Sequence, residues 1–326
     1  MTTAARSRAA TVRPSDTFPG GIMSTDQTDG LARHTDGLIG DLMSGVLDDI
    51  ESVSIPNPGP QETNSLSGIA TGFTELDEVT GGNIDGRLMV IASRPGLGRS
   101  TLLTDMCRHA AIKLNIPVAA YTLEESRSHF ITRIKCAEAR IPRLNMHNGT
   151  MQEEHWTRLA RVTPKISAAP LWIKSPASLT MRQLRKEATE LVQDHGVRLL
   201  AVDGIQDIRP EKRSDLRERE VGDIVRDLKT LARELNVPII ATSHLNRSPE
   251  QRWDKKPMLD DLRESGAITF AADVLILLHR EDAYDKESPR AGEADLILAK
   301  HRNGPTRTVT VAFQGHYGRF VDMAQT

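Results

Sequence analysis

Three kinds of local pattern follow one another at residues 88–101, LMVIASRPGLGRST. The apolar residues 88–92 are typical of a buried strand, the glycine-bearing residues 93–98 of a tight loop, and the residues from Arg99 of a helix start. The first N–H groups of a helix have no partner within it, and the helix dipole adds positive charge there. This strand, loop and helix therefore predict a cradle for an anion within an α/β sheet.

The loop resembles the phosphate-loop template G-x-x-x-x-G-K-[ST], with two changes. Ser93 takes the first glycine position and Arg99 takes the lysine position, while Gly98 and Ser100 match. Arginine keeps the charge, but its guanidinium is wide and planar where lysine is a compact point charge. A turn of this kind between a strand and a helix is often only a turn, so nucleotide binding rests on what accompanies it. The predicted phosphate-binding residues are Ser93, Arg94, Pro95, Gly96, Leu97, Gly98, Arg99, Ser100 and Thr101.

The composition is that of an ordinary globular chain, with 326 residues, 38% hydrophobic residues and a net charge of −2. Any binding of nucleic acid must therefore come from local basic patches. The two cysteines, Cys107 and Cys136, show no metal-ligand spacing, which favours packing roles and a cytoplasmic setting. No apolar run approaches the ~20 residues that cross a bilayer, so no membrane partner is expected.

The first part of the chain predicts a tail and a linker rather than a domain. Residues 1–34 lack periodicity and are expected to be disordered. Apolar residues recur at helical spacing over 38–53, and IPNPGPQETNS at 55–65 is typical of a linker. We expect the region 35–66 to hold an amphipathic helix that packs either on its own domain or on a neighbouring subunit.

From residue 67 to 326, strand and helix patterns alternate. Strands are predicted near 88–92, 117–122, 170–174, 197–202, 237–243, 273–279, 294–300 and 307–313. Helices are predicted near 99–114, 126–139, 151–162, 180–195 and 217–235, with a short one before Gly81. Strands that are apolar throughout indicate a mostly parallel α/β sheet with helices on both faces. The last strands follow one another without helices, which predicts an antiparallel C-terminal edge.

Two acids lie where parallel strands end. Glu124 follows the second strand and is a candidate to orient and deprotonate water, although a solvated acid is the plainer interpretation. Asp203 ends the apolar run LLAVD, which is the pattern that holds Mg²⁺ in phosphate-loop enzymes. Together with the Ser100 hydroxyl it forms the predicted metal site.

Polar residues after the later strands suggest contacts with phosphates or polymers. His244 is a candidate to sense a γ-phosphate, although a lone histidine is more often a structural hydrogen bonder. The loop at 246–265 is either solvated or tracks a nucleic-acid backbone, in the second case with Trp253 as a candidate to stack on a base. Its candidate DNA-binding residues are Arg247, Arg252, Lys255 and Lys256. Lys300 and Arg302 flank a turn from which they could reach a neighbour's nucleotide.

Taken together, these segments resemble the C-terminal, RecA-like motor domain of the DnaB-type replicative helicases. The resemblance runs from about residue 67 to 320 and is carried by TGFTELDEVTGG, SRPGLGRST, YTLEES, LLAVDGIQDI, LARELNVPIIATSHLNRSPEQR, KKPMLDDLRESGAITFAADVLILLHR and AKHRNGPT. The last four, in this order and spacing, are specific to that family. The fold expected from it is a RecA-like P-loop NTPase core.

The resemblance implies hexameric rings around single-stranded DNA that bind ATP and Mg²⁺ at subunit interfaces and translocate 5′ to 3′. By position, Glu124 falls on the catalytic base and Asp203 on the Mg²⁺ aspartate. His244 takes the place of the sensor glutamine, and Lys300 and Arg302 match the trans-acting pair. The helix at 38–53 sits where the family's linker helix docks on the adjacent subunit. Only a short tail is expected where the family carries its N-terminal helical domain, which recruits primase.

These residues lead to two main hypotheses. The first is an ATP-hydrolysing helicase motor that forms an oligomeric ring on single-stranded DNA. The alternative is a hydrolysis-impaired paralogue that binds ATP or DNA as a regulator, because Arg99 and His244 replace the usual lysine and glutamine. A third, a RecA-like recombination or clock ATPase, is disfavoured by the NRSPEQR and HRNGP segments.

Overall fold

The computed structural model describes residues 66–262 and 265–324. The predicted tail at 1–34, the amphipathic helix at 38–53 and the linker at 55–65 lie outside these residues. Within the part that the structure describes, strands and helices alternate as the sequence predicts.

A single nine-stranded sheet organises the domain, with the strand order β3-β2-β4-β5-β1-β6-β7-β8-β9. The pairs among β1–β6 are parallel, and β7, β8 and β9 add antiparallel strands at one edge. The expected α/β class and antiparallel C-terminal edge are confirmed. The strands are β1 Leu88–Ser93, β2 Val118–Thr122, β3 Leu171–Lys174, β4 Leu199–Asp203, β5 Ile239–His244, β6 Val274–His279, β7 Glu293–His301, β8 Arg307–Gln314 and β9 Arg319–Asp322.

Helices cover both faces of the sheet and close two hydrophobic layers. The strands contribute alternate residues to each layer, as Val90 and Ile91 of β1 do, because successive side chains of a strand point to opposite faces. The α-helices are α1 Thr74–Thr80, α2 Arg99–Arg108, α3 Arg127–Ala139, α4 Arg143–His147, α5 Glu153–Ala168, α6 Met181–His195, α7 Arg217–Leu235, α8 Ser248–Gln251 and α9 Ser265–Ala271. Helices α6 and α7 pack on one face, and α2 and α3 on the other.

Several local features differ from the sequence prediction, and among them are the helices α4, α8 and α9, which were not predicted. The helix predicted at 99–114 is α-helical only to Arg108 and continues as a π-helical turn, His109–Lys113. The helix predicted at 151–162 runs on to Ala168 with Pro164 inside it. The short strand β9 was not predicted, although it pairs with β8 and its Phe320 is buried.

Both cysteines are buried and unpaired, Cys107 in α2 and Cys136 in α3, so the predicted packing roles agree with the structure. None of the helices in the described ranges has the length and apolar character to span a membrane.

Candidate functional site

The phosphate-type loop lies at the carboxyl end of the central strand β1, where α2 begins. Gly96 and Gly98 both have positive φ, at 82° and 107°, which suits residues without a side chain. A Cβ on Gly98 would lie 2.8 Å from the ring of Phe320, so β9 presses directly on this turn. The first N–H groups of a helix have no partner within that helix, so those of α2 are available to an anion held at this loop.

Arg99, the first residue of α2, is buried beside two of the predicted site residues. Its Nη1 donates to the Ser243 carbonyl at 3.1 Å and lies 2.9 Å from Nδ1 of His244. Its Nη2 pairs with Glu124, and its Nε is buried without a hydrogen-bond partner among the described residues. The structure thus brings together Arg99, Glu124 and His244, which follow or end strands β1, β2 and β5.

Glu124 is held by His244 as well as by Arg99. Its Oε1 lies 3.1 Å from Nε2 of His244, and this hydrogen bond lowers the pKa of the Glu124 carboxyl, with Arg99 acting in the same direction against partial burial. The Glu124 side chain therefore stays a carboxylate to a lower pH than an ordinary glutamate does. Its side chain is 30% exposed, so water reaches it.

The neighbouring Glu125 has a different set of contacts. Its Oε2 pairs at 2.7 Å with Arg133 of α3. Arg133 also donates to the Ser100 carbonyl and the Thr104 hydroxyl in α2. Glu125 thus helps to brace the helix behind the loop, whereas Glu124 faces the site.

Asp203 ends β4 beneath the first turn of α2 and is fully buried. Its Oδ1 accepts hydrogen bonds from the hydroxyls of Thr242, at 2.7 Å, and Ser100, at 3.1 Å. Its Oδ2 has no hydrogen-bond partner within the ranges that the structure describes. An unpartnered buried carboxylate oxygen next to a serine hydroxyl is a donor set that suits Mg²⁺, so the predicted metal pair of Ser100 and Asp203 fits that ion.

Sequence reasoning missed Asp207 and Gln206, which lie in the 3₁₀ turn Ile205–Asp207 after β4. Burial raises the pKa of Asp207, and the nearby Glu124 carboxylate raises it further. A Cβ on Gly204 would overlap the Asp207 carboxylate and lie 2.9 Å from that of Glu124, so their approach requires glycine there. Gln206 binds the Ser243 hydroxyl at 2.9 Å. The segment GIQD after the strand was the available signal.

The predicted DNA-binding residues lie on a loop that starts after β5 and is closed by a bridge between Leu245 and Leu262. Arg252 forms a two-pronged ion pair with the buried Asp261, and Lys255 donates to the Glu250 carbonyl. Arg247 and Lys256 lie on the same loop, and the Trp253 side chain at its tip is 97% exposed. Arg252 thus holds the loop together in this state.

The same loop is tied to the phosphate-type loop by Arg94. Its Nε pairs with Glu250 at 2.7 Å, and its Nη1 donates to the Leu245 carbonyl at 2.9 Å. Arg94 of the phosphate-type loop therefore binds both the Glu250 carboxylate and the Leu245 carbonyl, so a movement of either loop would break these contacts.

Lys300 and Arg302 lie at the opposite end of the sheet from this cluster. The Lys300 ammonium donates to the carbonyls of Thr269, Phe270 and Ala272 at the end of α9. Arg302 pairs with Asp273 at 3.1 Å, and the Leu88 N–H at the amino end of β1 donates to the same carboxylate. The six residues of β1 span about 16 Å, so these cations cannot reach their own phosphate-type loop.

Comparison with known proteins adds a family assignment. A profile described as the DnaB-like helicase C-terminal domain matches residues 68–322. Replicative DNA helicase DnaB of Leifsonia xyli is 50% identical over 260 residues, which are 80% of this chain and 57% of that protein. Replicative DNA helicase DnaC of Bacillus subtilis is 38% identical over 259 residues, with 79% of this chain and 57% of that protein covered.

Two solved structures share the fold. One, described as the ATPase domain of G40P, has a TM-score of 0.81 at 33% identity and covers 89% of this chain and 100% of its own. The other, described as a DnaB-like replicative helicase and its interactions with primase, has a TM-score of 0.79 at 33% identity and covers 89% of this chain and 68% of its own. The chain spans about 57% of the length of the curated relatives from L. xyli and B. subtilis.

Proposed function

Because this chain belongs to the DnaB-like helicase C-terminal domain family, we propose that it is an ATP-hydrolysing motor that acts as an oligomeric ring on single-stranded DNA. The observation that carries this proposal is the cluster at the carboxyl end of β1. It combines a helix N-terminus, a buried arginine, a partly exposed carboxylate and a buried aspartate whose Oδ2 has no partner in the described part of the chain. Such groups serve the positioning and charge stabilisation on which phosphoryl transfer depends.

Each residue of the cluster has a chemical role in the proposal. The N–H groups of the loop at 94–98 and the Arg99 guanidinium bind phosphate oxygens. Ser100 and Asp203 would hold Mg²⁺, which would supply positive charge that neutralises the bound phosphates. Glu124 accepts a proton from the attacking water, and its position after β2 keeps it at the edge where the loop lies.

The proposal places a second group of cations in the site from a neighbouring subunit. Lys300 and Arg302 lie level with the amino end of β1, at the opposite end of the sheet from their own phosphate-type loop, so they act on a nucleotide only if that nucleotide belongs to another chain. Stacking of identical chains head to tail around a ring brings the two edges together, because such an interface joins different surfaces of each copy. We take the ring to be a hexamer.

Single-stranded DNA is the proposed polymer, and the loop at 246–262 is its proposed contact. Arg247 and Lys256 supply charge for phosphates, and the exposed Trp253 indole offers a stacking surface for a base. The ties from Arg94 to Glu250 and Leu245 give the nucleotide loop a direct mechanical connection to this contact. The two buried, unpaired cysteines agree with a proposed cytoplasmic setting.

The function is tested by measuring the steady-state ATPase rate with and without single-stranded DNA, together with native mass with and without ATP and Mg²⁺. We expect a rate that DNA stimulates and a discrete ring mass. Absence of both ATP binding and DNA stimulation would refute the proposal. ATP binding without measurable turnover would instead support the hydrolysis-impaired regulator, which the named relatives do not favour.

A further inference from the structure

The surroundings of Arg99 fix Nη1 of its guanidinium, whereas on the Nε–Nη2 edge only Nη2 has a partner among the described residues. The side chain is 6% exposed, and Nη1 has two partners, the Ser243 carbonyl and His244 Nδ1. Nε is buried without a partner in the described part of the chain, and Nη2 faces the carboxylate of Glu124. A buried N–H without a partner is costly, so this Nε marks a place where an acceptor is expected.

The contacts of His244 define which ring nitrogen carries its proton. Arginine is a donor only, so the 2.9 Å contact from Arg99 Nη1 requires Nδ1 to be an acceptor. A neutral imidazole then carries its hydrogen on Nε2, which lies 3.1 Å from Glu124 Oε1 and donates to it. Nδ1 thus serves the cation and Nε2 the carboxylate, while the 3.3 Å approach of Arg99 Nη2 to Nε2 brings two donors together and is not a hydrogen bond.

We propose that His244 is a positioning residue for Arg99: with the Ser243 carbonyl it anchors Nη1, so that the Nε–Nη2 edge of the guanidinium is presented to phosphate oxygens. That edge can hold two oxygens of one anion, which is the planar recognition that suits arginine. In this structure the Glu124 carboxylate occupies part of the edge at Nη2. A bound phosphate takes its place, which releases Glu124 toward water.

A lysine at the same position has no need of this anchor. Its ammonium is a single point of charge with donors that rotate freely, whereas a guanidinium binds well only in the right plane. The role of His244 should therefore depend on the residue at position 99. This inference rests on the proposed function, since it concerns the same nucleotide site, but it makes a separate prediction.

The test is a double-mutant cycle on the full chain that compares the wild type with His244→Ala, Arg99→Lys and the double variant. The equilibrium affinity for ATP with Mg²⁺ is measured by calorimetry at fixed protein concentration, and kcat is measured separately. We expect His244→Ala to weaken ATP binding about tenfold, because one charge-assisted hydrogen bond orients the guanidinium. In the Arg99→Lys background the same change should alter the affinity less than about twofold.

His244→Asn is the conservative variant, because its amide oxygen can stand near the position of Nδ1 and accept from Nη1. We expect it to keep most of the affinity while kcat falls, since the donor to Glu124 is lost. His147→Ala, at an exposed position on α4, is the matched control and should change neither quantity. Melting curves establish that every variant is folded.

An equal loss of affinity in the wild-type and Arg99→Lys backgrounds would overturn the inference, because His244 would then act on the nucleotide directly. No loss in His244→Ala would overturn it as well. Either result leaves the proposed function intact if the wild type hydrolyses ATP. A wild type that binds ATP without hydrolysing it would count against the proposed function, while the affinity cycle would still decide the role of His244.

Discussion

Charged clusters lie at both ends of strand β1, and they differ in how many of their polar atoms have partners. At the carboxyl end, Nε of Arg99 and Oδ2 of Asp203 are buried without partners among the residues described. At the amino end, Lys300 donates to three carbonyls, and Asp273 accepts from the Leu88 N–H, Lys229 and Arg302. In the first cluster, these two atoms remain to be paired by a ligand. The second is satisfied within its own chain.

This difference indicates how two copies of the chain would work together. The cations at the amino end must leave the α9 carbonyls before they can contact a phosphate, so their local contacts compete with the neighbour's nucleotide. Partial burial lowers the pKa of Lys300, as does the adjacent Arg302, which reflects how crowded this end is.

The largest expected effect comes from removing Arg302, the proposed trans-acting cation. Arg302→Ala should lower kcat about 1,000-fold in the assembled protein, because a guanidinium stabilises charge that develops on the transferred phosphoryl group. ATP binding to the subunit should change little, since the phosphate-type loop is at the other end of the sheet. ATPase assays and calorimetry check this. Arg307→Ala is the control, an exposed arginine whose contact is the exposed Glu75. A full loss of ATP binding in Arg302→Ala would place this residue in its own subunit's site.

The adjacent glutamates 124 and 125 have different expected roles, the first in the chemical step and the second in stabilising the fold. Glu124→Gln should lower kcat about 100-fold or more while ATP still binds, because the amide cannot accept the proton from water. Glu125→Gln should instead lower the melting temperature, because Arg133 loses its half-buried partner, and should lower kcat far less. Steady-state rates and thermal melts on both variants make this comparison. The reverse ranking in kcat would mean that the base was assigned to the wrong carboxylate.

Replacing Asp203 should weaken ATP binding without lowering the stability of the fold. Asp203→Asn should weaken Mg²⁺-dependent ATP binding about tenfold, because one metal ligand is lost. It should also leave the free energy of unfolding unchanged or raise it by about 1 kcal/mol, since a neutral amide costs less to bury than a carboxylate. Calorimetry with and without Mg²⁺ and urea unfolding test the two parts. Unchanged metal dependence would refute the assignment of the metal site.

The smallest effect concerns pH. The hydrogen bond from His244 lowers the pKa of Glu124, assisted by Arg99, while Asp207 also lies near it. Loss of that hydrogen bond in His244→Asn should raise the Glu124 pKa, so more of the base is protonated at a given acid pH. The acid limb of the ATPase profile should therefore move to higher pH. A shift to lower pH would contradict the assigned direction of this hydrogen bond.

Much of the architecture follows from local patterns. Strands β1 to β4 and β6 are apolar over most of their length, and the phosphate-type loop has a recognisable spacing, so the central sheet and the loop were predictable. Strand β9 was not predicted because only Phe320 and Val321 of its four residues are apolar, and its position depends on the packing of Phe320 against Gly98. The ion pairs of Arg252 and Arg302 were equally hidden, since their partners Asp261 and Asp273 are brought there by the fold.

The candidate site likewise has residues that the sequence predicted and residues whose placement depends on the fold. Positions after strands predicted Glu124, Asp203 and His244, because the carboxyl ends of parallel strands share one edge. The sequence could not show that Arg99 would lie between two of them, since that depends on side-chain direction at the first turn of α2. Asp207 was also missed, because its approach to Glu124 depends on the space left at Gly204.

The central claim, that one chain's Glu124 site is completed by the Arg302 end of another, is tested most directly by mixing two inactive variants. Glu124→Gln and Arg302→Ala carry different tags, and their co-purification establishes that mixed assemblies form. In an equal, random mixture, about a quarter of the interfaces join an intact site to an intact cation, so about a quarter of the wild-type ATPase rate should return. A mixture that co-purifies but remains as inactive as its two components would contradict the account.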